Sequence, residues 1–149
     1  MSDGVSPGSI RSVLVSVRDL DRSATFYRDV LSLHEVLRED LVAVLSRDPD
    51  GTFALYLRRA NHDAIRTGQQ TLGIRSFSYD VGSLAELDQV EGRLRAIDAF
   101  QERLRLDVGE VVIGHDPDRL PLTLIALKTG RISPDDYHHW LARIYTMDL

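Results

Sequence analysis

Residues 12–17 alternate strictly. Ser12, Leu14 and Ser16 fall on one side of an extended chain, and Val13, Val15 and Val17 fall on the other. A period of two predicts a strand over about 11–18. Asp19 is a suitable N-cap, and from there the period lengthens. Leu20, Ala24, Tyr27, Val30 and Leu31 share one face of a helix expected over 20–31. Strands are expected over 33–38, 41–46 and 53–59, with the turn Asp48-Pro49-Asp50-Gly51 ahead of the last. Residues 60–72 read as a polar linker, and residues 1–9 as a mobile tail.

The pattern then restarts. A strand fits 73–80, and Ser83 with Glu86 forms a capping box. Leu84, Leu87, Val90, Leu94 and Ile97 continue that helix's apolar stripe, and strands fit 100–106, 109–114 and 121–127. The stretch from Ser76 to Leu84 repeats the stretch from Ser12 to Leu20, and Asp116-Pro117-Asp118 repeats Asp48-Pro49-Asp50 ahead of an apolar strand. Two copies of one βαβββ unit follow, over about 10–59 and 73–128. The expected fold is α+β, with a domain over 10–128 and a C-terminal helix within 129–149. Ser133 caps that helix, Pro134 takes its first position, and Asp135 and Asp136 suit its positive end. Its stripe of Tyr137, Trp140, Leu141, Ile144 and Tyr145 requires a cover: the domain, a cavity mouth or a partner chain.

Composition narrows the function classes. The 149 residues suit one domain, and a formal charge of -5 argues against a nucleic-acid partner. The absence of cysteine removes disulfides, thiolate metal sites and thiol nucleophiles. No apolar run approaches the ~20 residues that span a bilayer. The first residues lack the pattern of a secretory signal, so the expectation is a cytoplasmic protein without membrane partners.

The phrase VSVRDLDRSATFYRDVLSL over residues 15–33, the two Asp-Pro-Asp turns and the duplication resemble the vicinal oxygen chelate superfamily. That superfamily includes glyoxalase I, extradiol dioxygenases, fosfomycin-resistance enzymes and bleomycin-binding proteins. The resemblance implies two βαβββ modules whose sheets curl around a shared cavity, and a homodimer. Metal-dependent members hold a divalent ion through His on a module's first strand and Glu on its last. In this chain those four positions are Ser12, Leu55, Ser76 and Thr123. Divalent first-row ions require imidazole, carboxylate or thiolate donors, and neutral hydroxyls with a leucine supply no compensating charge. The expectation is therefore no metal and no cofactor.

Alternation predicts what lines such a cavity. Ser12 brings Leu14 and Ser16, and Ser76 brings Ile74 and Ser78. Leu55 brings Phe53 and Leu57, and Thr123 brings Pro121 and Ile125. An apolar wall bearing hydroxyls suits a small organic molecule, aromatic in part. The reading is a metal-free binding protein that sequesters or carries such a ligand. The alternative is a metal-free acid–base enzyme using His34, or Glu110 with His115. Metal-dependent glyoxalase or dioxygenase chemistry ranks below both, and a docking module built on the last helix is a further possibility. His62 lies in the linker, and the adjacent His138 and His139 diverge on a helix. Asp48, Asp50, Asp116 and Asp118 read as turn residues rather than calcium ligands.

Overall fold

The computed structural model describes residues 12–48, 53–64, 74, 76–128 and 132–145. The expected tail, the Pro49-Asp50-Gly51 part of the first turn, linker residues 65–72 and residues 73 and 75 of the strand expected over 73–80 lie outside them. The chain divides into two compact units between residues 66 and 67.

The first unit runs β1 (Ser12–Val17), α1 (Leu20–Leu31), β2 (His34–Arg38), β3 (Val42–Ser46) and β4 (Ala54–Arg59). Its strands lie in the order β1-β4-β3-β2, with β1 and β4 parallel and the other pairs antiparallel. Asp19 starts α1 by accepting a hydrogen bond from the Arg22 N–H at 3.0 Å, which satisfies a donor that the first helical turn leaves open. Ser32 ends the helix in the left-handed conformation, at φ 59°. The buried stripe of α1 includes Leu20, Ala24, Phe26, Tyr27, Val30 and Leu31.

The second unit repeats this plan with β5 (Phe77–Asp80), α2 (Leu84–Ala96), β6 (Phe100–Arg105), β7 (Gly109–His115) and β8 (Pro121–Leu127), and adds α3 (Pro134–Tyr145). Its strand order is β5-β8-β7-β6, again with the first pair parallel. Both second strands carry a bulge near their start, at Glu35/Leu37 and at Phe100/Glu102. The Ser83 hydroxyl caps α2 by accepting from the Glu86 N–H at 3.1 Å. Ser133 does the same for α3 through Asp136 at 3.1 Å. β5 is shorter than expected: Ile74 and Ser76 precede it, because pairing begins at Phe77 opposite Leu122, where its partner β8 has just started at Pro121.

The faces of each sheet follow from register. In the first sheet Val13, Val15 and Val17 share a face with Leu55, Leu57, Ala43 and Leu45. This face is the one under α1, as the Arg28–Glu35 ion pair (3.7 Å) between helix and sheet also requires. In the second sheet Val112, Gly114, Leu122, Leu124 and Ala126 share the face under α2, where they are buried with Leu87, Val90 and Leu94. The opposite face is taken by α3: Trp140 and Ile144 form one buried cluster with Val111, Ile113 and Ile125. The stripe on the last helix is thus covered by its own unit except at Tyr145, which is exposed.

Candidate functional site

The face of the first sheet that α1 leaves uncovered is built from two parallel strands in register. Ser12 pairs with Ala54, Leu14 with Tyr56 and Ser16 with Arg58. The row through Leu14 and Tyr56 continues across β3 and β2 as Val44 and Leu37. Leu14 is 62% exposed, Leu37 48% and Tyr56 38%, while Val44 is buried. Ser12 and Ser16 flank this apolar row as exposed hydroxyls. The row through Ser12 and Ala54 continues as Ser46 and His34. His34 therefore stands three strands from Ser12, roughly 14 Å away at the usual strand spacing.

This register corrects the expected lining. Leu55 and Leu57 do not share a face with Ser12, Leu14 and Ser16; they are buried under α1, beside Val13 and Val15. Counting from the turn places the strand one residue out of phase, and one residue reverses every side chain. Tyr56 is the residue that sequence reasoning missed. Its signal was available in the parallel repeat, because whichever residue sits opposite Leu14 must share its side of the sheet. Phe53 is exposed just ahead of β4, and its carbonyl accepts from the Ser46 hydroxyl at 3.1 Å.

In the second unit the register brings the expected residues together. Ser78 lies opposite Thr123, and Asp80 lies opposite Ile125. Ser76 is half-buried immediately before β5, whereas Ile74 is exposed and Pro121 is the exposed start of β8. Thr123 and Ile125 continue across β7 as Ile113 and Val111, so they lie under α3, and both are buried. Burial in this layer, and then the negative charge of Asp80, push the Tyr137 hydroxyl's pKa above its ordinary value. Ser78 at the edge strand remains exposed.

The acid–base candidates separate. Glu110 and His115 are on one strand at positions of opposite parity, so they face opposite sides of the sheet. Glu110 is engaged on the α2 side by Arg103, whose Nε donates to it at 2.8 Å. The same guanidinium donates to Asp88 at 2.7 Å and to Glu91 at 2.9 Å on α2. Burial opposes the charged form of Arg103, but its bonds to Glu91, Asp88 and Glu110 outweigh that and raise its pKa. The expected Glu110–His115 pair is thereby corrected: the carboxylate anchors a helix, and His115 Nδ1 lies 3.1 Å from the Asp116 carbonyl. Asp116 is buried, and its Oδ1 accepts from the N–H groups of Asp118 (2.9 Å) and Leu120 (2.8 Å). That is turn chemistry. His139 Nδ1 contacts the Asp135 carbonyl at 2.8 Å on the exposed side of α3.

A separate open cleft of about 550 Å³ lies where β1, β2 and β4 end and α1 begins. Arg18, Asp21, Arg38, Glu39, Asp40 and Arg59 contribute to its walls. Arg38 is bonded to Asp21 and Glu35, and both hydrogen bonds raise its pKa. Arg18 donates to the carbonyls of His62 (3.2 Å) and Ala64 (2.7 Å). The walls carry both signs of charge and little apolar surface, unlike the usual small-molecule pocket.

The donor set can be tested against the divalent ion that the fold implies. Register places Ala54 and Tyr56, rather than Leu55, beside Ser12 and Leu14. The second unit offers Ser76, Ser78 and Thr123. Neither set contains an imidazole, and Asp80, two residues along β5 from Ser78, accepts a hydrogen bond from the Gly82 N–H at 2.8 Å. Among the described residues no group of three or more His, Cys, Asp or Glu side chains is placed to hold a metal ion. These residues do not fit the ion.

The sequence matches the family model of the Glyoxalase/Bleomycin resistance protein/Dioxygenase superfamily over residues 9–141. The chain belongs to that superfamily. No curated protein sequence matches it. Among solved structures it is similar to a glyoxylase/bleomycin resistance protein/dioxygenase domain from Frankia sp. EAN1pec, at 26% identity and TM-score 0.67, covering 91% of this chain and 99% of that one. A lactoylglutathione lyase from Agrobacterium tumefaciens is 24% identical, with TM-score 0.60 over 80% of this chain and 94% of that one. The fosfomycin resistance protein FosX from Mesorhizobium loti is 14% identical, with TM-score 0.61 over 93% and 99%. The last two show the fold alone. No helix among the described residues is long and apolar enough to cross a membrane.

Proposed function

We propose that this chain is a metal-free small-molecule binding protein of the glyoxalase/bleomycin resistance/dioxygenase superfamily. Its ligand is a small organic molecule, aromatic in part, held on the uncovered face of the first sheet. The observation that supports this most is the exposed row of Leu14, Tyr56 and Leu37 flanked by the hydroxyls of Ser12 and Ser16. An apolar row that keeps Leu14, Tyr56 and Leu37 exposed around a buried Val44 is unfavourable in water unless something covers it. The flanking hydroxyls supply both donors and acceptors to fix an orientation. Loss of imidazole and carboxylate at the superfamily's ligand positions removes the metal but leaves the surface intact.

The test is a thermal-shift screen of aromatic small molecules against chelator-treated protein. At ligand concentrations near a hundred times Kd, binding adds about 2.7 kcal/mol, which moves Tm by several degrees. Tyr56→Arg, a change at an exposed position, is expected to abolish the shift without lowering the Tm of the free protein. Absence of any response across a broad library would overturn the reading. We also propose the homodimer that the resemblance implies, and the mass of the protein in solution checks it separately.

A further inference from the structure

Equivalent faces of the two sheets have different fates. On the face that carries them in the first unit, Leu14, Tyr56 and Leu37 are exposed around the buried Val44, while the face that carries Thr123 and Ile125 in the second lies under α3. The group seated on it is the only tryptophan of the chain. Trp140 is 2% exposed and packs with Ile144 against Val111, Ile113 and Ile125, flanked by Tyr137 and Leu141. Its ring centroid lies 6.1 Å from that of Tyr137. The indole Nε1–H is buried without a hydrogen-bond partner among the described residues. A buried donor left unpaired destabilises the state that buries it, and release to water removes the penalty. The other side of α3 faces water, where Asp135, Asp136, His138, His139 and Arg143 are exposed and polar.

We propose that α3 is a built-in occupant of the second module's wall. Trp140 stands where a flat aromatic ligand of indole size would lie, and such a ligand binds this wall by displacing the helix. The proposal rests on the small-molecule reading above and extends it to a second face with its own competitor. Apparent affinity is then the intrinsic affinity multiplied by the fraction of molecules in which α3 is already undocked. Weakening the helix contact therefore strengthens ligand binding, the reverse of what a residue contributing directly to the site would do.

A single tryptophan gives a single indole Nε1–H resonance in the ¹⁵N-labelled full chain, and unlabelled indole is the probe. Titration is expected to move that resonance to the position of a water-exposed tryptophan. Ile144→Ala is expected to tighten indole binding about tenfold by raising the undocked fraction. Leu141→Ala, truncating a side chain only half-buried at the edge of the cluster, shifts affinity in the same direction by less and serves if the first variant does not fold. Indole binding that leaves the Trp140 resonance in place, with equal affinity in the variants, overturns displacement but leaves the small-molecule reading standing. No indole binding to the full chain or to either variant overturns the proposal itself. The broad library screen, which is confined neither to indole nor to this face, decides the wider reading separately.

Discussion

Arg103 shows how a residue that resembles a candidate for chemistry can be fully occupied by architecture. Its side chain is 10% exposed, and it joins Asp88 and Glu91 on α2 to Glu110 on β7. Removing one partner of a nearly buried ion cluster leaves uncompensated charge, so Arg103→Met is expected to destabilise the fold by about 3 kcal/mol in denaturant titrations. The cluster also predicts a pH dependence. Bonds from Arg95 first, and then from Arg103, hold the Glu91 pKa below its ordinary value. A carboxylate depressed on folding contributes stability above its unfolded pKa of about 4.3 and loses it as pH falls through the lower folded value. The chain should therefore lose stability on acidification from about pH 5 downward, and Arg103→Met should lose less over the same range. An equal loss in both proteins would show that Glu91 titrates independently of Arg103. The residue scale is also where the sequence was least legible. Leu55 and Tyr56 are both apolar enough to line a pocket, and only the pairing of Leu14 with Tyr56 decides between them.

The elements were legible because each has a local cause. The expected helix over 20–31 is α1, Leu20–Leu31, and the strand expected over 121–127 is β8, Pro121–Leu127. Asp19, Ser83 and Ser133 all cap as their side-chain chemistry requires. What local cause does not specify is how far a strand extends before it has a partner, which is why Ser76 lies outside β5 and pairing begins at Phe77. Nor does it specify helix–sheet contact distance. Gly114 has no signal in the sequence, yet a Cβ there would sit 2.7 Å from the Ala99 carbonyl oxygen and 3.0 Å from the Leu94 side chain. Gly114→Ala must push α2 and its connection to β6 away from the sheet, and a loss of about 1–3 kcal/mol is expected on chemical denaturation. Unchanged stability would mean that the α2 layer is loosely held. Gly92, within α2, has open space around it and carries no such constraint.

At the scale of the molecule, duplication leaves two sheets of the same order and the same parallel first pair, each with a helix on one face. The remaining faces differ because the described residues form one additional helix, and that helix covers the second sheet. The sequence stripe from Tyr137 to Tyr145 announced a need for cover without naming the surface, since amphipathicity fixes which side of a helix is buried but not against what. The chemistry of the four positions where the resemblance places metal ligands was readable directly, because Ser12, Leu55, Ser76 and Thr123 include neither an imidazole nor a carboxylate. The face bearing Ser12, Leu14, Ser16 and Tyr56 is proposed to bind an organic ligand without a divalent ion. Amide chemical-shift mapping of the chelator-treated, ¹⁵N-labelled protein tests this most directly. Addition of a compound selected by thermal shift is expected to move the amides of β1 and β4, while a stoichiometric divalent ion leaves them in place. Metal-induced shifts in those strands, or compound-induced shifts that appear only after metal is added, would contradict the account.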